Sequence, residues 1–179
     1  MEQLHLPNDI SAKANPKSST GRLAIFTRMI CDYGIEFERV PEGYKGKLYA
    51  EVVPRTFTVV ISEGIKLNQL RFIRGCPPAS DKKLQELDKQ EKLVYAEEGL
   101  PKPAYIDEGV RISINLQGDE DRNIIGYRAK KNSPVIDLSK INYYPLEDFW
   151  EAIPSPKDKT IILNPDDFYI LISKEKVRI

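Results

Sequence analysis

The chain has 179 residues, enough for one ordinary domain or two small halves, and 41% of them are apolar, which suffices for a core. Lys plus Arg equals Asp plus Glu at 27 each, so no net field exists to hold a nucleic-acid backbone irrespective of its sequence; only a local basic pocket is left open. The only histidine, His5, lies near a chain end, which excludes a His-based triad and a multi-histidine metal site.

Met1 to Pro7 show no basic region followed by an apolar stretch, and no apolar run is long enough to cross a bilayer, so the cytoplasm is the expected compartment. Cys31 and Cys76 are far apart and flanked by apolar or loop residues; they are expected to be plain core or loop cysteines. From Leu23 to Phe72 the pattern is strand-like, broken by turns such as Glu42-Gly43 and Glu63-Gly64. Alternation over residues 46–53 puts Leu48, Ala50 and Val52 on one face and Tyr49, Glu51 and Val53 on the other.

A break at Gly75-Cys76-Pro77-Pro78 precedes Leu84 and Leu87 at helical spacing, which predicts one solvated connector helix over 79–95 with its charges facing water. After a loop over 98–103, strands are predicted at 110–116, 124–129 and 160–173. Phe149 and Trp150, between Pro145 and Pro154, read as core plugs, because aromatic side chains gain most from burial.

The stretch Ala14-Asn15-Pro16-Lys17-Ser18-Ser19-Thr20-Gly21-Arg22 is a phosphate-binding inventory. Hydroxyls and backbone N–H groups ligate phosphate oxygens, Lys17 and Arg22 neutralise them, and Gly21 permits close backbone approach. Alone it equally describes a Ser-Thr-Gly turn. It is followed in order by the turn 42–46, the strand carrying Glu51, and Gly64-Ile65-Lys66-Leu67-Asn68-Gln69-Leu70.

This order over residues 4–75 resembles the superfamily of dCTP deaminases and dUTPases, and Glu51 beyond the Gly-x-x-Gly turn resembles the deaminase member. The resemblance implies a mostly β fold, a distorted barrel or jelly roll of the dUTPase-like (β-clip) type, with dCTP and dUTP as substrate and product. It implies Glu51 as general acid/base, and Lys17, Ser18, Ser19, Arg22, Tyr49 and Gln69 as substrate-binding residues. Tyr49 and Val53 would desolvate Glu51. Mg2+ would only accompany the triphosphate and no zinc is expected: Cys76 lacks a partner at the Cys-x-x-Cys spacing that zinc deaminases need. Neither nucleic acid nor membrane is an expected partner, and homotrimers or other homo-oligomers with active sites between subunits are implied.

One departure stands out, because the family's Asp-Pro-Gly reads Pro41-Glu42-Gly43 here: Pro41 takes the place of the sugar-holding aspartate, so either Glu42 substitutes for it or sugar binding differs. The spelling of residues 14–22, with Pro54-Arg55-Thr56-Phe57, resembles a long bacterial form in which two such domains follow each other. Against that form, residues 1–78 read as the C-terminal half of a first repeat, 79–95 as a connector, and 96–179 as the N-terminal half of a second repeat, expected to close one barrel with 1–78. Two alternatives stay open: a dUTP pyrophosphatase, and an inactive homologue with a structural or nucleotide-binding role.

Overall fold

The structure, a computed structural model, describes residues 3–75, 80–96, 99–118 and 122–178. Cys76 and the prolines after it lie outside the described residues. The elements in chain order are β1 (Gln3–His5), β2 (Ile10–Pro16), α1 (Ser18–Gly21), β3 (Ile25–Cys31), β4 (Arg39–Val40), β5 (Lys45–Pro54), β6 (Val59–Val60), β7 (Asn68–Arg74) and α2 (Asp81–Gln90). They continue with β8 (Val94–Tyr95), β9 (Pro101–Lys102), β10 (Ile124–Ala129), β11 (Ile136–Asp137), β12 (Trp150–Pro154), β13 (Tyr169–Leu171) and β14 (Lys176–Val177). The chain is mostly β, a dUTPase-like β fold.

Two compact units share the chain. Unit 1 holds residues 1–77 and 129–150; unit 2 holds 78–128 and 151–179. In unit 1, the sheets β1-β5-β3 and β4-β2-β7 enclose a core of Leu6, Ala12, Ala14, Met29, Cys31, Val40 and Tyr44. The period of two explains the side chosen by each residue: Ile25, Thr27, Met29 and Cys31 are buried, whereas Phe26, Arg28 and Ile30 point to the other face. Burial pushes the Cys31 thiol up from its usual range. β2 carries little apolar signal, since its buried positions are alanines, and it is made a strand by its antiparallel register with β7, Ala12 opposite Phe72 and Ala14 opposite Leu70.

A late segment completes unit 1. β11 pairs in parallel with β6, Ile136 opposite Val59, and Phe149 is 3% exposed, with its ring edge-on to Phe57 at 5.9 Å and to Tyr144 at 5.5 Å. Trp150 packs on Phe57 at 5.3 Å. Phe149 is the core plug that its burial value predicts, whereas Trp150 is only half-buried.

Unit 2 contains the sheets β12-β10-β13 and β14-β8-β9 and the helix α2. The predicted connector helix is shorter than expected: it ends at Gln90 because Glu91 is extended (φ −133°), and residues 94–95 form β8 instead. The physical reason is tertiary. Asp88 is buried, and its carboxylate accepts hydrogen bonds from the N–H of Leu93 (3.1 Å) and of Ala104 (3.2 Å), which holds the chain in a turn there. These bonds keep Asp88 ionised below the usual carboxylate range. Asp81 likewise accepts from Glu108 N (2.8 Å) and Gly109 N (3.0 Å), so two of the charges expected to face water do structural work.

The strand expected over 124–129 matches β10, but 110–116 and 160–173 are shorter than predicted. Val110 and Ile114 each make a single bridge, to Ile106 and Ser173. In the last segment a turn at Asn164–Asp167, with Asp166 at φ +61°, leaves only Tyr169–Leu171 in the sheet. No helix among the described residues is long and apolar enough to cross a membrane.

Candidate active site

The phosphate-like stretch is divided by the fold. Ala14 to Pro16 end β2, Lys17 caps α1, and Ser18 to Gly21 make its single turn. That turn is fastened to the 62–67 loop. Leu67 O accepts from Lys17 N (2.8 Å) and from the buried Thr20 hydroxyl (2.9 Å), which also lies 2.6 Å from Lys17 O. Thr20 is therefore a structural staple, whereas Lys17, Ser18, Ser19 and Arg22 are exposed. A Cβ at Gly21 would meet nothing within 4 Å, so space above this turn is open.

The space is a cleft of about 950 Å³ within unit 1. Lys17, Ser18, Ser19, Arg22 and Gln69 line it together with Glu63 to Leu67 and a wall from a later segment, Ile136 to Ile141. Sequence reasoning missed that wall. It contributes Lys140 and Ser139, and Asp137, whose carboxylate is held below its usual range by hydrogen bonds from Ser139. Lys17, Arg22, Lys66 and Lys140 outnumber Glu63 and Asp137, so the cleft is locally basic in a neutral chain.

Tyr49 sits elsewhere. It lines a second cavity of about 300 Å³ with Leu4, Met29, Leu48 and Asn68; Gln69 borders this cavity and the cleft alike. A hydrogen bond to the Asp32 carboxylate raises the Tyr49 phenol above its ordinary range. Asn68 lines this cavity, and its buried side-chain oxygen and nitrogen have no hydrogen-bond partner among the described residues. No pattern of residue types singles Asn68 out, since it is one amide inside a loop motif.

Glu51 is not brought to the cleft. It stands on β5 opposite Arg28 of β3, with Tyr49 and Val53 on its own face opposite Ile30 and Phe26. The expected desolvation is not what surrounds it: its side chain is 36% exposed and its partner is a cation. Arg28 donates from Nε (2.6 Å) and a terminal nitrogen (2.5 Å) to the same oxygen, Oε2.

The Gly-x-x-Gly turn before this strand has a steric cause. Gly43 has φ +66° and donates to Pro7 O and Ile10 O, and a Cβ there would lie 2.9 Å from Asn8 Oδ1. A Cβ at Gly46 would meet the Tyr44 hydroxyl at 2.5 Å and Asp32 Oδ2 at 2.8 Å. Those two groups tie the turn down, Asp32 accepting from Lys47 N (3.0 Å) and Tyr44 donating to Lys47 O (2.5 Å). Pro41 accepts from Tyr44 N, and Glu42 is exposed.

The family model of the 2'-deoxycytidine 5'-triphosphate deaminase N-terminal domain matches residues 1–76, and that of the C-terminal domain of the same family matches residues 80–179. A dCTP deaminase of Sulfurisphaera tokodaii is 35% identical over 77 residues, 43% of this chain and 38% of that protein. A dUMP-forming dCTP deaminase of Methanocaldococcus jannaschii is 29% identical over 106 residues, 59% of this chain and 48% of that protein. The crystal structure of 2'-deoxycytidine 5'-triphosphate deaminase from Agrobacterium tumefaciens superposes with a TM-score of 0.91 at 42% identity, covering 100% of this chain and 52% of that one. The chain thus spans about half the length, or less, of these relatives. Two consecutive family matches and one superposition over the whole chain agree: the chain belongs to the 2'-deoxycytidine 5'-triphosphate deaminase family.

Proposed function

We propose that this chain takes part in the hydrolysis of dCTP to dUTP and ammonia, in the cytoplasm, as a step of pyrimidine deoxynucleotide synthesis. The observation that carries the reading is the basic cleft in which Lys17, Ser18, Ser19, Arg22 and Gln69 converge, in a chain of this family. Charge-assisted hydrogen bonds from Lys17 and Arg22, and hydroxyl donors from Ser18 and Ser19, suit a triphosphate. Mg2+ would arrive with that triphosphate and neutralise its oxygens; among the described residues no three His, Cys, Asp or Glu side chains cluster to hold a metal of their own.

Glu51 would supply the proton transfers without zinc. Its carboxylate takes a proton from water as the oxygen adds to C4 of cytosine; the carboxylic acid then returns the proton to the amino nitrogen as the C4–N bond breaks. Tyr49 and the Asn68 amide would contact the nucleoside from the neighbouring cavity. Glu51 is not among the residues that line the cleft, which suits a site completed by a second copy, in a trimer or another homo-oligomer.

The test is ammonia release from dCTP with Mg2+, parent against Glu51→Gln. Turnover that disappears in the variant supports the reading; a parent that binds dCTP, seen as thermal stabilisation, yet releases no ammonia makes the chain a nucleotide-binding homologue. A second reading has its own support in the dUMP-forming relative. Release of pyrophosphate with ammonia would favour it, and pyrophosphate without ammonia from dUTP would identify a pyrophosphatase.

A further inference from the structure

The residue in direct contact with Glu51 is one that no sequence motif marked. Arg28 is cross-strand to Glu51 and reaches it with two nitrogens that converge on Oε2, so Oε1 takes no part in the pair. The guanidinium is itself fixed, lying 3.9 Å from the centroid of the Phe37 ring and 5.2 Å from that of Phe26. Arg28 and Glu51 are 33% and 36% exposed, so the pair is half-sheltered while one carboxylate oxygen stays available.

We propose that Arg28 is a positioning residue for the Glu51 carboxylate. It holds Oε2 and thereby presents Oε1 as the oxygen that receives the proton from water and hands it to the departing ammonia. An unheld glutamate spreads over several rotamers; one locked by a stacked arginine meets the reacting atoms in a single geometry. Lysine cannot reproduce this, because a point charge has no planar fork to converge on one oxygen or to stack on Phe37.

The inference rests on Glu51 being the acid/base, and the molecule supplies its own control. Arg128 and Glu151 form a second cross-strand pair, again with Nε (3.2 Å) and a terminal nitrogen (2.5 Å) on one Oε2, but at 43% and 46% exposure and with no ring stacked on the guanidinium among the described residues.

The experiment measures kcat and KM for dCTP in the parent, Glu51→Gln, Arg28→Met, Arg28→Lys, Phe37→Leu and Arg128→Met. Expected are a loss in kcat on the order of 10²-fold for Arg28→Met with KM unchanged, partial recovery with millimolar guanidinium, an incomplete rescue by Arg28→Lys, a smaller loss for Phe37→Leu, and parental values for Arg128→Met. A parent without turnover, or an active Glu51→Gln, sinks the assignment of Glu51 and this inference with it. A parent that works, a dead Glu51→Gln and an Arg28→Met with parental kcat overturn the inference alone. Should Arg28→Met fail to fold, Phe37→Leu decides, and an unchanged kcat there overturns the role of Arg28.

Discussion

Asp81, Asp88 and Glu175 of unit 2 and Glu51 of unit 1 are used in opposite ways. In unit 2, Asp81, Asp88 and Glu175 are spent on backbone N–H groups: Glu175 accepts from Ser113 N (2.6 Å), from the Ser113 hydroxyl and from Lys102 Nζ (3.0 Å). In unit 1, Glu51 holds no backbone group among the described residues and is itself held, through one oxygen, by Arg28. A carboxylate that satisfies amides is part of the scaffold, because removing it leaves those donors orphaned. One kept in place by a side chain and left with a free oxygen is available for chemistry. Asp32 shows that the division follows local wiring and not the unit, since it anchors the Gly46 turn by accepting from Lys47 N.

Substitutions can break or sharpen this contrast. The largest effect is expected at Glu51→Gln, a fall in turnover of about 10² to 10⁴-fold with an unchanged melting temperature, read by ammonia release and thermal unfolding together. A stability loss in place of a turnover loss would put Glu51 with the scaffold carboxylates. Next comes the cleft: Arg22→Met should raise KM for dCTP by roughly 10 to 100-fold, the scale of one charge-assisted hydrogen bond, and should weaken the stabilisation given by inorganic tripolyphosphate. Affinity unchanged in both assays would remove Arg22 from the binding set.

Gly46→Ala should cost about 1 to 3 kcal/mol in denaturant unfolding, since its methyl would press on Tyr44 and Asp32. Acid tests unit 2. The Glu175 carboxyl is lowered from 4.5 to about 2, chiefly by the Ser113 N–H and also by Lys102. Its stabilisation is therefore complete above the unfolded value near 4.5, declines below it and is gone once pH falls past about 2. Glu175→Gln should flatten that part of the stability profile without touching turnover at neutral pH; a parallel profile in the variant would refute the assignment. The smallest effect is expected at Arg128→Met, which should leave turnover as it is.

Much of the site was legible because it is local. Lys17, Ser18, Ser19 and Arg22 fall within one turn, and that turn does face the cleft. Glu51 and Arg28 are 23 residues apart in sequence, and their meeting depends on the β3–β5 register, which residue types do not encode. The same holds for the wall over 136–141, which lies more than 60 residues from the Gln69 motif and reaches the cleft through the pairing of β11 with β6. The overlong helix and strands have a related cause. A periodicity marks where an element starts more firmly than where it stops, and here the stops are set by Asp88 and by the turn at Asn164–Asp167.

By itself the sequence determined the β class, the alternation that puts Glu51 on one face with Tyr49 and Val53, the phosphate-like turn and the likeness to the deaminases, all of which depend on short-range order along the chain. Only the tertiary structure decided which later segment walls the cleft, which cation holds Glu51 and which carboxylates belong to the scaffold. Those are matters of strand register and of which donors are left unpaired, and both are settled when distant segments pack.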